Sequence, residues 1–304
     1  MRRWRALASA LCVTAALVAS TGALAASPLP PQKTAVLFGA KIRYFEMGSG
    51  PTVVLVHGLG SSARGDWGTV MQSLGASHHV LALDLLGFGA SDKPFITYGI
   101  QTWVDFLGEF LRDRKVASFT LMGESLGGWI AAQYTIQALA EQAVGPKYLL
   151  PKPSKLVLCD AAGFSKATVT QMVDRSASST MPSGMSLAGQ QRLLGAVFHD
   201  PAWSSDKGLR TGMAWAISKG DGWTIQSLLS NRSIIEEATQ ERLGSITIPT
   251  LVVWGQYDQL VPIADGEGYA VAIPGARLVV IPDVGHAPMI EAPALFLKAV
   301  GTFL

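Results

Sequence analysis

One stretch, Gly123-Glu124-Ser125-Leu126-Gly127, constrains this chain more than any other. The apolar run Phe119-Thr120-Leu121-Met122 leads into it, and the helix-like run Gly128-Trp129-Ile130-Ala131 leads out. A strand, a turn one residue wide and a helix force the turn residue into a strained backbone conformation and hold its hydroxyl out of the core. Glycines on both sides keep Cβ atoms out of the crossing of strand and helix. Ser125 is therefore a candidate nucleophile. The alternative is an ordinary glycine-rich strand-to-helix turn, and the rest of the chain has to decide between them.

The residues around this stretch alternate in a regular way. Val36-Leu37-Phe38 and Ile42 to Glu46 read as two short strands joined at Gly39-Ala40. Thr52-Val53-Val54-Leu55-Val56 is a continuous β-branched run, as expected of a strand covered on both faces. Trp67 to Leu74 reads as a helix, His79 to Leu83 as the next buried strand, and Gln101 to Arg112 as an amphipathic helix. Alternating buried strands and helices predict an α/β fold, a mostly parallel central sheet flanked by helices on both faces. The pattern then stretches. A proline-bearing link, Glu141 to Ser154, precedes the strand Lys155 to Leu158, and strand signals then cease for about 85 residues of short amphipathic runs. The sheet resumes with Thr250 to Trp254 and Arg277 to Ile281, and a helix from about Ala292 to Phe303 closes the chain.

The first 25 residues carry a different signature. Met1-Arg2-Arg3-Trp4-Arg5 is positive, Ala6 to Val18 is weakly apolar, and Ala23-Leu24-Ala25 is a small-x-small cleavage site. This predicts an exported protein, periplasmic or secreted, whose mature chain begins near Ala26. An uncleaved membrane anchor is the alternative, and the run is short and poor in Leu and Ile for one. The expected organisation is a signal peptide over 1–25, a core in two parts over 26–163 and 247–304, and a helical insertion over 164–246. The formal net charge is +2, and cleavage would remove three arginines and leave −1. No basic stripe then remains for nucleic acid, and membrane contact is expected only through the signal segment. Of the two cysteines only Cys159 survives cleavage, and it reads as a buried thiol at a strand end. No cysteine or histidine cluster has metal-ligand spacing, so neither metal nor cofactor is expected.

A serine nucleophile needs a base to take its proton and an acid to hold that base in the right tautomer. Two late strands supply candidates. Leu251 to Trp254 runs into Gly255-Gln256-Tyr257-Asp258-Gln259-Leu260-Val261-Pro262, and Arg277 to Ile281 into Pro282-Asp283-Val284-Gly285-His286. The chain order is Ser, Asp, His. Asp258 could instead cap the helix after Pro262. Asp84 and Asp283 are rival acids, the first in a glycine-rich loop and the second in a turn. His57 reads as a turn residue whose ring braces its loop, and His78, His79 and His199 as exposed or structural. Glu124, beside Ser125 on a sharp turn, should point away from it as a buttress.

With these motifs in hand, the chain resembles the α/β-hydrolase superfamily, in particular its capped, lipase- and esterase-like serine hydrolases. The resemblance rests on five ordered motifs: the His57-Gly58 turn, the Asp84 to Ser91 loop, the Ser125 elbow, Gly255-x-x-Asp258-x-x-Val261-Pro262, and Gly285-His286. It implies Ser125 as nucleophile, His286 as general base then acid, and Asp258 as orienting carboxylate. It implies an oxyanion hole from the backbone N–H groups of Leu126 and, in the His57-Gly58-Leu59-Gly60 loop, Leu59. It also makes the helical insertion a cap over a site for a small-molecule ester. Serine at 125 argues against the related haloalkane dehalogenases and epoxide hydrolases, which use aspartate there. Hydrolases of carbon–carbon bonds share the triad, but many carry an aromatic residue after the histidine, where this chain has Ala287-Pro288-Met289. Cofactor-free perhydrolases share it too and remain open.

Overall fold

The computed structural model describes residues 29–140, 149–177 and 186–304, with backbone alone for 175–177. The predicted signal segment and residues 141–148 of the proline-bearing link lie outside these residues. In chain order the strands are β1 (Lys33–Leu37), β2 (Ala40–Met47), β3 (Thr52–Val56), β4 (His79–Leu83), β5 (Phe119–Glu124), β6 (Lys155–Cys159), β7 (Thr250–Gly255) and β8 (Arg277–Ile281). The helices are α1 (Ala63–Trp67), α2 (Met71–Gly75), α3 (Ile100–Asp113), α4 (Leu126–Leu139), α5 (Lys166–Ala177), α6 (Leu187–Val197), α7 (Asp206–Lys219), α8 (Gly222–Ser230), α9 (Ile263–Ala272), α10 (Pro288–Glu291) and α11 (Pro293–Gly301). The strands form one sheet in the order β1-β2-β4-β3-β5-β6-β7-β8. It is parallel from β4 to β8, while β2 runs antiparallel to both of its neighbours.

The apolar strand runs are buried on both faces because the pleat sends alternate side chains to opposite sides. Val54, Val56, Leu81, Leu121 and Leu156 join a core with Trp103, Trp129 and Tyr134 of α3 and α4. Their neighbours Val53, Leu55, Val80, Met122 and Val157 join a second core with Trp67, Met71 and Phe296 of α1, α2 and α11. A period-2 run that is apolar at every position thus finds helices on each side, as the continuous pattern required.

Two expected boundaries shift. The first strand begins at Lys33, and the hairpin turns on Phe38-Gly39 with Leu37 opposite Ala40. Both turn residues have positive φ, 49° and 84°, which matches the twist of the flanking strands. The helix expected over Trp67 to Leu74 is two short helices, broken between Trp67 and Met71. Gly68 is a poor helix former, and the Thr69 hydroxyl donates to Met289 O at 2.6 Å, drawing the chain away from the helix axis.

Between β6 and β7 the described residues contain helices and 3₁₀ turns only. This insertion is fastened over the ends of the parallel strands by hydrogen bonds to their loops. Thr224 donates to Gly87 O, Trp223 to Ile96 O, and Asn231 to Tyr98 O, while Trp129 of α4 donates to Glu237 O. Lys219 Nζ donates to Gly60 O at 2.6 Å and lies over the Trp215 ring. Burial of this ammonium pulls its pKa down to about 7, against the opposing pull of Asp221, Asp66 and Asp84. In the unfolded chain the same group keeps its proton to about 10.4. Between those values the unfolded state binds more protons, so this lysine makes stability rise with pH, and below about 7 its full cost remains. Lys219→Met should therefore raise Tm by several degrees at pH 6. By pH 10 the gain should vanish and the lost Gly60 bond, about 1 kcal/mol, should leave the variant below wild type. Melting curves across this range read the crossover, and a Tm difference independent of pH would refute it.

Candidate active site

Ser125 stands alone between β5 and α4 at φ 50°, ψ −115°. Its backbone is clamped on both sides: its N–H donates to Cys159 O, and its carbonyl accepts from the N–H groups of Ala162 and Trp129. A Cβ on Gly123 would run into the Gly127 carbonyl, and one on Gly127 into the Val56 carbonyl. The flanking glycines are thus required by the close crossing, as the sequence indicated. Leu126 is the first residue of α4, so its N–H is among those that no helical carbonyl takes.

The facing loop is His57-Gly58-Leu59-Gly60. The His57 ring is fully buried, with Nδ1 2.8 Å from Gly58 O and Nε2 accepting from Leu85 N at 3.0 Å. Because Nε2 accepts, the proton sits on Nδ1. Burial also pushes the imidazole pKa down, so the ring is a neutral brace, as expected. Gly58 N–H donates to Asp66 Oδ2 at 2.8 Å, and the Ser61 hydroxyl donates to Asp66 Oδ1. Leu59, half-buried, lies between these two anchors.

Asp258 and His286 come together at the ends of β7 and β8. Asp258 Oδ2 lies 2.7 Å from His286 Nδ1. Its other oxygen accepts from the N–H groups of Leu260 and Val261, so the turn-capping role and the contact with histidine coexist in one side chain. His286 N–H donates to Val197 O at the end of α6, at 2.6 Å, which ties the histidine loop to the insertion. The rival acids have other work. Asp84 accepts from Ala63 N, Ala90 N and Gln32 Nε2, and Asp283 occupies a turn at φ 57°. His78 and His79 bond Ser77 and Glu46, and His199 stacks on Tyr257. Cys159 is buried and free, and burial raises its thiol pKa. Among the described residues no side-chain hydrogen bond joins Ser125 to His286.

Two carboxyl groups at this edge, Asp66 and Asp160, escaped the sequence reading, and the contacts of a third, Glu124, were not foreseen. Glu124 was expected to point away as a buttress; its Oε1 lies 3.3 Å from His286 Nε2, and its Oε2 lies against Gly58, whose N–H bonds Asp66. It can reach both because the last residue of β5 turns its side chain under the His57-Gly58 loop. Asp66 sits in α1 and carries no motif. Asp160 follows β6 directly at φ 44°, the same strand-end signal that singled out Asp84 and Asp258, and that signal could have found it. Asp160 Oδ1 accepts from Gly255 N at 2.8 Å, while its buried Oδ2 has no donor. Burial, and then the charge of Asp258, hold the Asp160 carboxyl well above its usual range. Ligand atoms of Asp160, Asp258 and His286 lie within 4.8 Å of one another. That spacing would suit a cation, but Asp258 Oδ2 and His286 Nδ1 already bond each other directly.

Comparison with known proteins identifies the family. A model of the alpha/beta hydrolase family matches residues 53–299. A 2-hydroxy-6-oxo-6-(2'-aminophenyl)hexa-2,4-dienoic acid hydrolase of Metapseudomonas resinovorans is 27% identical, over 88% of this chain and 88% of its own. Lipase 3 of Moraxella sp. is 29% identical, over 88% of this chain and 82% of its own. Among solved structures, an N-acyl homoserine lactone degrading enzyme superposes with a TM-score of 0.75 at 25% identity, over 90% of this chain and all of that one. With five ordered motifs, the strained elbow and a family match across most of its length, the chain belongs to the alpha/beta hydrolase family.

Proposed function

We propose that the protein is a serine hydrolase that cleaves carboxylic esters of small, largely apolar substrates through an acyl-enzyme. The observation that carries this reading is Ser125 at left-handed φ on the strand edge where Asp258 and His286 are bonded at 2.7 Å. Ser125 attacks the carbonyl, and His286 takes its proton through Nε2. Asp258 accepts the Nδ1 proton and so keeps Nε2 free. The N–H groups of Leu59 and Leu126 hold the developing oxyanion, each worth about 3 kcal/mol in comparable sites. His286 then activates the water that releases the acid.

The apolar-substrate reading draws on the lipase relative. The tryptophans of the insertion lend it little, because each has a packing partner: Trp203 stacks on Phe198, Trp223 on Phe95, and Trp215 carries Lys219. The insertion is read as a cap whose position over the elbow selects the substrate. A second reading, hydrolysis of a carbon–carbon bond in a dienoate, is favoured by the Metapseudomonas relative and opposed by Ala287, which follows the histidine without an aromatic ring. Export through the first 25 residues is part of the same proposal, and N-terminal sequencing of the secreted protein checks it.

Hydrolysis of nitrophenyl esters of graded acyl length tests the main reading. Ser125→Ala should lower kcat by about a million-fold, and turnover that survives the substitution refutes the mechanism. A dienoate ring-cleavage product turned over far faster than every ester would favour the second reading. Asp258→Asn should keep the turn, since its oxygen still meets Leu260 and Val261, but present an amide to His286 Nδ1 and fix the wrong tautomer. Its kcat should fall by about 10⁴ with KM little changed, and a near-wild-type rate would remove Asp258 from the acid role.

A further inference from the structure

Two carboxyl groups meet beneath the elbow. Glu124 and Asp66 are both buried and both lie against Gly58, whose N–H donates to Asp66 Oδ2 at 2.8 Å and where a Cβ would strike Glu124 Oε2. Two carboxyl oxygens attract each other only through a shared proton. Asp66 is already an acceptor at both oxygens, from Gly58 N–H and from the Ser61 hydroxyl. The proton therefore belongs to Glu124. The groups that face Glu124 are Asp66 of α1, Asp160 after β6, Asp258 after β7 and His286 after β8. Three of these four are carboxyls, and the fourth is the proposed base.

We propose that Glu124 is a positioning residue, a neutral carboxylic acid that donates its proton to Asp66 and so ties the Ser125 elbow to the loop carrying Leu59. The link runs Glu124 to Asp66 to Gly58 N–H, and the Glu124 carboxyl packs directly against Gly58, where a Cβ would strike it. It fixes the spacing between the two proposed oxyanion donors, Leu126 on the elbow side and Leu59 on the loop side. The neutral state has a second consequence. Glu124 Oε1 is 3.3 Å from His286 Nε2. A carboxylate there would hold the imidazole as its cation, which can accept no further proton. A carboxylic acid committed to Asp66 leaves Nε2 available for Ser125. Burial and the charge of Asp66 act in the same direction on Glu124, raising its pKa well above the usual carboxylate range.

This inference rests on the serine-hydrolase reading for its kinetic readout, so its test combines kinetics with a measurement independent of turnover. Glu124→Gln keeps the shape and a donor for Asp66. Its kcat should stay within about threefold of wild type and the acid limb of its pH–rate profile should not move. Glu124→Leu removes the donor and should lower kcat by about 10- to 100-fold with KM close to wild type. Combined with Asp66→Asn, it should cost little more than the worse single variant, because both break one link. In the infrared, the protonated-carboxyl band at pH 7 should lose intensity in Glu124→Gln, as it should separately in Asp160→Asn. That band is present whether or not Ser125→Ala is inactive, so failure of the serine mechanism and failure of this proposal are distinguishable. If Glu124→Leu does not fold, Glu124→Gln alone decides. A Glu124→Gln acid limb displaced to lower pH, a kcat loss as large as that expected of leucine, or an unchanged carboxyl band overturns the proposal.

Discussion

Helix α4 crosses β5 and β3 so closely that neither Gly123 nor Gly127 has room for a Cβ, the first being blocked by the Gly127 carbonyl and the second by that of Val56. Contact at this range is possible only if the chain reverses within one residue, and Ser125 makes that reversal at φ 50°. A non-glycine residue held there stores strain of order 1–3 kcal/mol, offset by the buried cores on both faces of the sheet. The strain also serves a purpose: it places the serine hydroxyl outside the packed layer and the Leu126 N–H at the mouth of a helix. The same reversal turns Glu124, the last residue of β5, inward under the His57-Gly58 loop. The nucleophile candidate and the carboxyl beneath it are two results of one backbone constraint.

That constraint concentrates acidic groups. Glu124, Asp160 and Asp258 are gathered around the His286 imidazole at the ends of the central strands, with Asp66 bonded to the Gly58 N–H beside Glu124, and no lysine or arginine forms an ion pair with any of them among the described residues. Four carboxylates with one imidazole among them in so little water would repel one another strongly. Protons resolve the conflict. Asp160 and Glu124 are pushed toward the neutral form, each by burial first and by a neighbouring carboxylate next, while Asp66 and Asp258 are surrounded by N–H and O–H donors. His286 thus meets one of each kind, donor-bonded Asp258 at Nδ1 and Glu124 at Nε2.

The legible part of the molecule was the part governed by local chemistry. Strand runs such as Thr52 to Val56 announce burial on both faces, and the glycines around Ser125 announce a close crossing. Asp258 and His286 follow late strands in the right order. What stayed hidden depends on contacts distant in sequence. Asp66 has no motif, and its role appears only when Gly58 and Ser61 bond it across a folded loop. Glu124 was visible as a neighbour of Ser125, but its contact with a histidine 162 residues away was not. The helix over Trp67 to Leu74 was misjudged because Thr69 bonds Met289, a partner that periodicity cannot see.

Beyond its general packing on the sheet, the insertion touches the candidate site at two points. Lys219, the last residue of α7, binds the carbonyl of Gly60 beside Leu59, and Val197, the last residue of α6, accepts the N–H of His286. One pin touches the loop proposed to hold the oxyanion, the other the loop of the proposed base. Any displacement of α6 or α7 must therefore strain one or both of these loops. Under the proposed cap reading, admission of a substrate and alignment of the reacting groups both depend on how α6 and α7 sit. A residue change in either helix, far from Ser125, would act on selectivity and on turnover together.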